Sequence, residues 1–300
     1  MNDSDSQTRT GVINAISSYV MWGFAPLYFK LLAGIDASEI LIHRVIWSCL
    51  LLTLIVVFTK KWRFAQSILK QPKLIAKLLV TATVLAINWF LFIWAINNDH
   101  LLDASLGYFI NPLFSVALGV VFLGERLRVW QKFAVLLAVT AVLIQLVILG
   151  SLPIISLALA GTFGTYGLLR KKMAVDSFVG LLFESALMVP IAVIYWWFFT
   201  NSASSNMINN TVNLNIILIM AGIVTTAPLL CFTAAAKRLT LSALGFFQYI
   251  GPSIMFVLAT FLYHEPLAMT KLATFALIWL ALIIFSLDSL NALKRAKNNK

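Results

Sequence analysis

Stretches of about twenty apolar residues, the length that crosses roughly 30 Å of hydrocarbon, follow one another along this chain with only short polar breaks. Ten can be delimited: 11–32, 38–59, 75–97, 104–123, 130–149, 153–170, 177–199, 215–236, 242–263 and 270–290. None shows the period of two that a barrel strand needs. Each is therefore expected to be a helix, because lipid leaves an open strand edge unsatisfied. Hydrophobic residues make up 61% of the chain and charged ones 11%, which excludes an ordinary soluble domain. The expected fold class is all-α integral membrane, with ten transmembrane helices.

A formal charge of +11 would suggest a nucleic-acid partner in a soluble protein. Here the cations are sorted by loop instead. With the N-terminus inside, 19 of the 22 basic residues fall in inner segments, and only Lys30, Arg44 and Lys271 lie elsewhere. Outer loops carry Asp36, Asp99, Asp103 and Glu265, or no charge. This pattern predicts both termini on the cytoplasmic side, membrane lipid as a neighbour and no nucleic acid. Residues 1–9 are polar, and no cleavable leader is expected. Cys49 and Cys231 both sit inside spans, so neither a disulfide framework nor a metal site is implied, and no cofactor is expected.

Shifted by 140 residues, the second half falls on the first. Phe122-Leu123-Gly124-Glu125-Arg126-Leu127 lands on Leu262-Tyr263-His264-Glu265-Pro266-Leu267, Pro112 on Pro252, and Phe92 and Ala95 on Phe232 and Ala235. Five spans per half is an odd number, so the second half enters from the opposite side. The repeats are 10–149 and 153–291, joined by Gly150-Ser151-Leu152-Pro153. Two five-helix bundles rocking about a central site would give alternating access. The register slips once: five residues separate Gly107 from Pro112, and seven separate Gly245 from Pro252.

Proline inside a helix frees the carbonyl four residues earlier. Pro26, Pro112 and Pro252 are expected helix breaks that free the carbonyls of Trp22, Tyr108 and Gln248. Broken helices at the midplane are where inverted-repeat carriers bind solute, although a plain proline kink is the simpler alternative. Trp22, Asn88, Tyr108, Asn111, Gln248 and Tyr249 are accordingly candidate substrate-binding residues. Trp94 and Tyr166, nearer span ends, fit interface anchors better.

Charges inside spans are the sharper signal, because each costs a few kcal/mol or more at the bilayer centre. Span 2 holds Glu39, His43 and Arg44, and span 7 holds Glu184. His43, Arg44 and Glu184 join the candidate binding residues. Arg44 and Glu184 occupy the same repeat position with opposite sign, which makes them a candidate pair across the pseudo-two-fold axis. They could form a structural ion pair, a gate or a substrate clamp. Glu125 and Glu265 are expected to cap or brace loops between the fourth and fifth span of each half. Spans 5 and 10 carry little polar character and suit the periphery or a homodimer contact.

Ser105-Leu106-Gly107-Tyr108-Phe109-Ile110-Asn111-Pro112 followed by Leu123-Gly124-Glu125-Arg126 resembles EamA-type modules of the drug/metabolite transporter superfamily. Trp22-Gly23-Phe24-Ala25-Pro26, Glu39-Ile40-Leu41-Ile42-His43-Arg44-Val45-Ile46-Trp47 and Gly245-Phe246-Phe247-Gln248-Tyr249-Ile250-Gly251-Pro252 are similar to the RarD permeases in particular. The resemblance covers residues 10–290. It implies a ten-helix bacterial inner-membrane carrier of two EamA repeats, a chloramphenicol-related family label, and relatives that move amino acids and other small metabolites. The second half departs from the motif, with Tyr263-His264-Glu265-Pro266 in place of Leu-Gly-Glu-Arg. The expected function is secondary transport of a small amphipathic solute such as a metabolite, an amino acid or chloramphenicol. No Walker motif is present, so a proton gradient, an exchange partner or the solute's own gradient would drive it. A lipid flippase on the same fold is the alternative. An intramembrane enzyme has only Glu39 and His43 in its favour, with no nucleophile, and is not expected.

Overall fold

The computed structural model describes residues 3–32, 34–97, 101–149, 154–199, 207–262 and 269–298, and every regular element among them is a helix. In chain order these are α1 (Asp3–Lys30), α2 (Ala37–Phe58), α3 (Trp62–Leu69), α4 (Pro72–Asn97), α5 (Leu101–Leu123) and α6 (Val129–Leu149). There follow α7 (Ile154–Lys172), α8 (Ser177–Phe199), α9 (Val212–Ala236), α10 (Leu241–Gln248), α11 (Ile250–Phe261) and α12 (Met269–Asn298). Eight helical stretches among the described residues are long and apolar enough to cross a membrane, the broken α10–α11 counting as one. The chain is thus an all-α, multi-pass membrane protein. The run expected at 104–123 is represented by a shorter apolar helix, Gly107–Leu123. That at 153–170 folds as α7, whose last turn holds Arg170, Lys171 and Lys172. Large side chains such as Trp197 (82% exposed) and Val147 (81%) face outward, as lipid contact requires. Asp99, Glu265 and the 150–153 linker lie outside the described residues, as does the side chain of Asp103.

Local chemistry sets the helix ends. Asp36 caps α2 by accepting from the Ser38 N–H at 2.7 Å, and Thr211 and Thr240 do the same for α9 and α10. Gly124, at φ 64°, ends α5 in the left-handed region that glycine tolerates, and the Glu125 N–H returns to the Gly119 carbonyl. That turn aims Glu125 at another element. Its carboxylate accepts the N–H groups of Leu241 (2.6 Å) and Ser242 (2.9 Å) and the Ser242 hydroxyl (2.7 Å). Glu125 therefore does not brace its own loop. It caps the N-terminus of α10, where unpaired N–H groups and the helix dipole favour an anion.

The three expected breaks reduce to one. Pro26 and Pro112 lie inside continuous helices, α1 and α5. A membrane helix tolerates a missing bond when neighbours re-satisfy the freed groups. Only the Pro252 region interrupts the backbone, between Gln248 and Ile250, and proline then sits in the first turn of α11 where its missing N–H is harmless. The two extra residues between Gly245 and Pro252 accompany this break.

Helices before residue 150 pack chiefly on helices after it. α1 lies against α9 and α11, α2 against α8 and α9, α4 against α7 and α8, α5 against α7 and α10, and α6 against α12. The two halves interlock and do not form two self-contained five-helix bundles. The α6–α12 contact includes a bond from Gln145 Nε2 to the Thr274 hydroxyl at 2.7 Å.

Candidate functional site

α2 and α8 cross near the middle of the molecule, with α4 and α9 beside them. A cavity of about 10 Å³, room for one water-sized group, lies among Ser48, Trp89, Glu184, Ser185, Thr225 and Thr226, with leucines and Met188 completing the wall. The two in-span charges flank this constriction without meeting.

Arg44 projects from α2 toward α9 and α4. Its Nε donates to the Thr225 hydroxyl at 2.8 Å, and its guanidinium carbon lies 4.8 Å from the Trp89 ring centre and 5.8 Å from that of Phe29. The flat cation thus stacks on aromatic faces, an arrangement suited to arginine's delocalised charge. Tyr28 and Tyr108 stand within its electrostatic reach. The Tyr28 hydroxyl donates to the Ile217 carbonyl at 2.8 Å, and the Tyr108 ring meets Phe92 edge-on with centres 6.2 Å apart. Tyr108 is 40% exposed.

Glu184 has different company. It accepts from the Thr81 hydroxyl at 2.6 Å and the Tyr166 hydroxyl at 3.1 Å, and faces Arg170 Nη1 at 3.4 Å. All four residues are buried, Glu184 completely. The expected Arg44–Glu184 pair is therefore corrected to Arg170–Glu184. The physical reason is proximity: Tyr166 and Arg170 are one turn apart on α7, so both reach the same carboxylate. Gly180 on α8 leaves space for the guanidinium, since a Cβ there would collide with Arg170 Nη1. Arg170 Nε and Nη2 are buried without an acceptor among the described residues.

An aromatic cluster separates the Trp22 region from Tyr166. Trp22, Phe163 and Phe232 hold ring centres 5.1–5.9 Å apart, and Tyr166 stacks on Phe232 at 6.1 Å. Tyr166 is fully buried, so it is no interface anchor. At the helix break, Gln248 accepts from the Ser115 hydroxyl at 3.4 Å, and the buried Tyr249 donates its hydroxyl to the Phe109 carbonyl at 3.2 Å. Asn111 Oδ1 on α5 is buried with no hydrogen-bond partner among the described residues.

Two sequence candidates point elsewhere. Asn88 spends its amide on the Thr162 hydroxyl (2.8 Å) and the Leu159 carbonyl (2.9 Å), and so ties α4 to α7. His43 accepts from Trp47 Nε1 at 3.1 Å and its ring lies 6.1 Å from that of Trp196, away from Arg44. Sequence reasoning missed Arg170, Thr81, Trp89 and Thr225. Arg170 was masked by Lys171 and Lys172, which mark it as a membrane-edge cation.

Residues 9–147 match the EamA-like transporter family. Over 292 residues the chain is 53% identical to an uncharacterized transporter of Vibrio cholerae, with 97% of each protein covered. It is 51% identical over 289 residues to protein RarD of Escherichia coli, covering 96% of this chain and 98% of that one. The chain belongs to the EamA/RarD family of transporters. Chloramphenicol-sensitive protein RarD of Pseudomonas aeruginosa is 31% identical over 291 residues, with 95% of this chain and 96% of that protein covered. A solved crystal structure, 17% identical, shares the fold at a TM-score of 0.72 over 94% of this chain and 98% of its own. As a member of the EamA/RarD family this protein is a membrane transporter. The cavity between Arg44 and Glu184 is its candidate solute site.

Proposed function

We infer that the protein is a ten-span secondary transporter that moves a small amphipathic solute by alternating access across a bacterial inner membrane, with both termini inside. The observation that carries this reading is the small cavity lined by Glu184, Trp89 and Thr225, with Arg170 paired to Glu184 and Arg44 bonded to Thr225. A cavity with room for only one water-sized group, lined by Glu184 and next to Thr225, which holds Arg44, suits a carrier in a closed state. The inverted repeats 10–149 and 153–291 are supported by the packing. Exchanging each helix for its counterpart 140 residues away maps the main helix contacts onto themselves. Tyr249 and Phe109, bonded to each other, are 140 residues apart, as residues on a two-fold axis would be.

The rocking bodies are then mixed groups and not the sequence halves: α1 with α9 and α11, and α7 with α4 and α5. Trp22, Tyr108, Asn111, Gln248 and Tyr249 line or support the path, while His43 and Asn88 hold helices in place. Glu184 is the residue available for proton coupling. A homodimer contact through the outer faces of α6 and α12 remains part of the proposal.

The lipid-flippase reading has one observation in its favour. An apolar groove of about 430 Å³ opens between α1, α11 and α12, lined by Phe24, Ile254, Val257 and Trp279 among others. Its serine, Ser253, is already bonded to Trp279 and to the Tyr249 carbonyl, so it offers no polar track for a headgroup. Counterflow in proteoliposomes tests the choice. Accumulation of labelled chloramphenicol or of a labelled amino acid supports transport of solutes. Leaflet exchange of labelled phospholipid, with no solute counterflow, would replace that reading with flipping.

A further inference from the structure

The two midplane charges differ in whether the protein answers them. Glu184 has a buried cation and two hydroxyl donors. Arg44 has no carboxylate within ion-pair distance among the described residues; its contacts there are Thr225 at Nε and aromatic faces. A guanidinium carries five donors in a rigid fork that matches a carboxylate. Thr225 answers one of them. A cation at membrane depth is costly unless it is paired, so one with no carboxylate beside it among the described residues points to an anion from outside the fold.

The repeat register sharpens the contrast. Positions 170 and 184 hold Arg and Glu, while 140 residues earlier the same positions hold Lys30 and Arg44. Arg170 and Glu184 answer each other there, whereas Arg44 has no carboxylate within ion-pair distance among the described residues. Beside Arg44 stand the Trp89 face and the partly exposed Tyr108 ring, an apolar wall next to the fork. One guanidinium matches one negative charge.

Resting on the transporter reading above, we propose that Arg44 recognises a carboxylate on the transported solute, whose apolar body lies against Trp89 and Tyr108. The solute class is then small aromatic or branched monocarboxylates, with amino acids included through their carboxyl end.

The test uses the full chain in nanodiscs of phosphatidylcholine alone, so that no anionic lipid competes for Arg44. Thermal unfolding is followed with three matched probes: phenylacetate, phenylacetamide and phenethylamine. Phenylacetate should stabilise the protein, with the amide and the amine at least tenfold weaker. Arg44→Gln should weaken phenylacetate at least tenfold, and Arg44→Lys, which keeps the charge without the fork, by a smaller factor. Should Arg44→Gln not fold, Arg44→Lys decides alone. Stabilisation by phosphatidylglycerol that Arg44→Gln abolishes, without any by phenylacetate, would assign the site to lipid and overturn the proposal. Equal effects of the amide or the amine, or wild-type affinity in the variants, would also overturn it. Counterflow of chloramphenicol separates the two levels: if it persists while phenylacetate fails, only the carboxylate inference falls. If both fail and no amino acid counterflows either, the alternating-access reading of this site falls with it.

Discussion

Arg44 on α2 and Glu184 on α8 lie 140 residues apart, the spacing of the proposed repeat, yet they are accommodated in opposite ways. Glu184 is sealed from solvent, with Arg170, Thr81 and Tyr166 supplying the counter-charge and the donors. Arg44 is half-buried, bonded to one hydroxyl and stacked on rings. A self-contained buried pair stabilises a closed arrangement and penalises its opening. A cation with no carboxylate partner among the described residues leaves its strongest interaction open to something that comes and goes. On the carboxylate proposal, the difference separates the part of the site that holds the helices from the part that meets solute.

The largest expected effect tests that separation directly. Glu184→Leu strands Arg170 in the interior, and breaking one side of a buried pair costs about 3–5 kcal/mol. Arg44→Leu removes one bond to Thr225 from a half-buried cation and should cost about 1 kcal/mol. Combining Glu184→Leu with Arg170→Met should recover most of the loss, because apolar side chains can replace a buried pair at little cost. Thermal unfolding of the purified variants in nanodiscs ranks them. Similar losses at 44 and 184 would erase the distinction.

A second contrast concerns the glycines beside each charge. A Cβ at Gly222 on α9 would sit 2.6 Å from the Trp47 carbonyl carbon, so Gly222→Ala must push α2 and α9 apart. Overpacking of this kind costs about 1–3 kcal/mol. A Cβ at Gly180 would strike Arg170 Nη1, the end of a flexible side chain. Gly180→Ala should therefore cost less stability while loosening the Glu184 pair, a change seen as altered transport in protein of near-normal melting temperature. The reverse order of melting temperatures would show that the Arg170 site is the more rigid one.

Much of this architecture was legible because membrane burial leaves so few options. Apolar runs became helices, and the in-span charges at 44 and 184 fall on α2 and α8, which pack against each other. Partners were not legible, because the sequence gives an element's composition but not its rotation. His43 adjoins Arg44 in sequence and faces Trp196. Asn88 looked like a pore residue and proved to be a tie between helices. The break at Gln248–Ile250 was signalled by the two extra residues before Pro252, whereas Pro112, in an equally suggestive motif, stayed within a continuous α5. A proline specifies a lost bond, and packing decides whether the helix breaks.

The smallest effect lies at the membrane edge below Glu184. Burial first, and then the Arg170 charge, push the Lys237 ammonium from its ordinary value down to about 8. Asp176 opposes the shift, and is itself held below the usual carboxylate range: burial would raise it, but Lys61 at 2.6 Å and two backbone N–H groups prevail. A base whose folded pKa is depressed binds fewer protons folded than unfolded between the two values. Stability from this group should then rise as pH climbs from about 8 to the ordinary lysine range near 10.4. Lys237→Met should flatten that rise and leave the protein slightly more stable at pH 7. Glu184→Gln should leave Arg170 unneutralised, depress Lys237 further and move the start of the rise to lower pH. Melting temperatures of the three proteins across pH 7 to 10 give the comparison. An unchanged slope in Lys237→Met would show that the charge on Arg170 is contained by Glu184 and does not reach the surface.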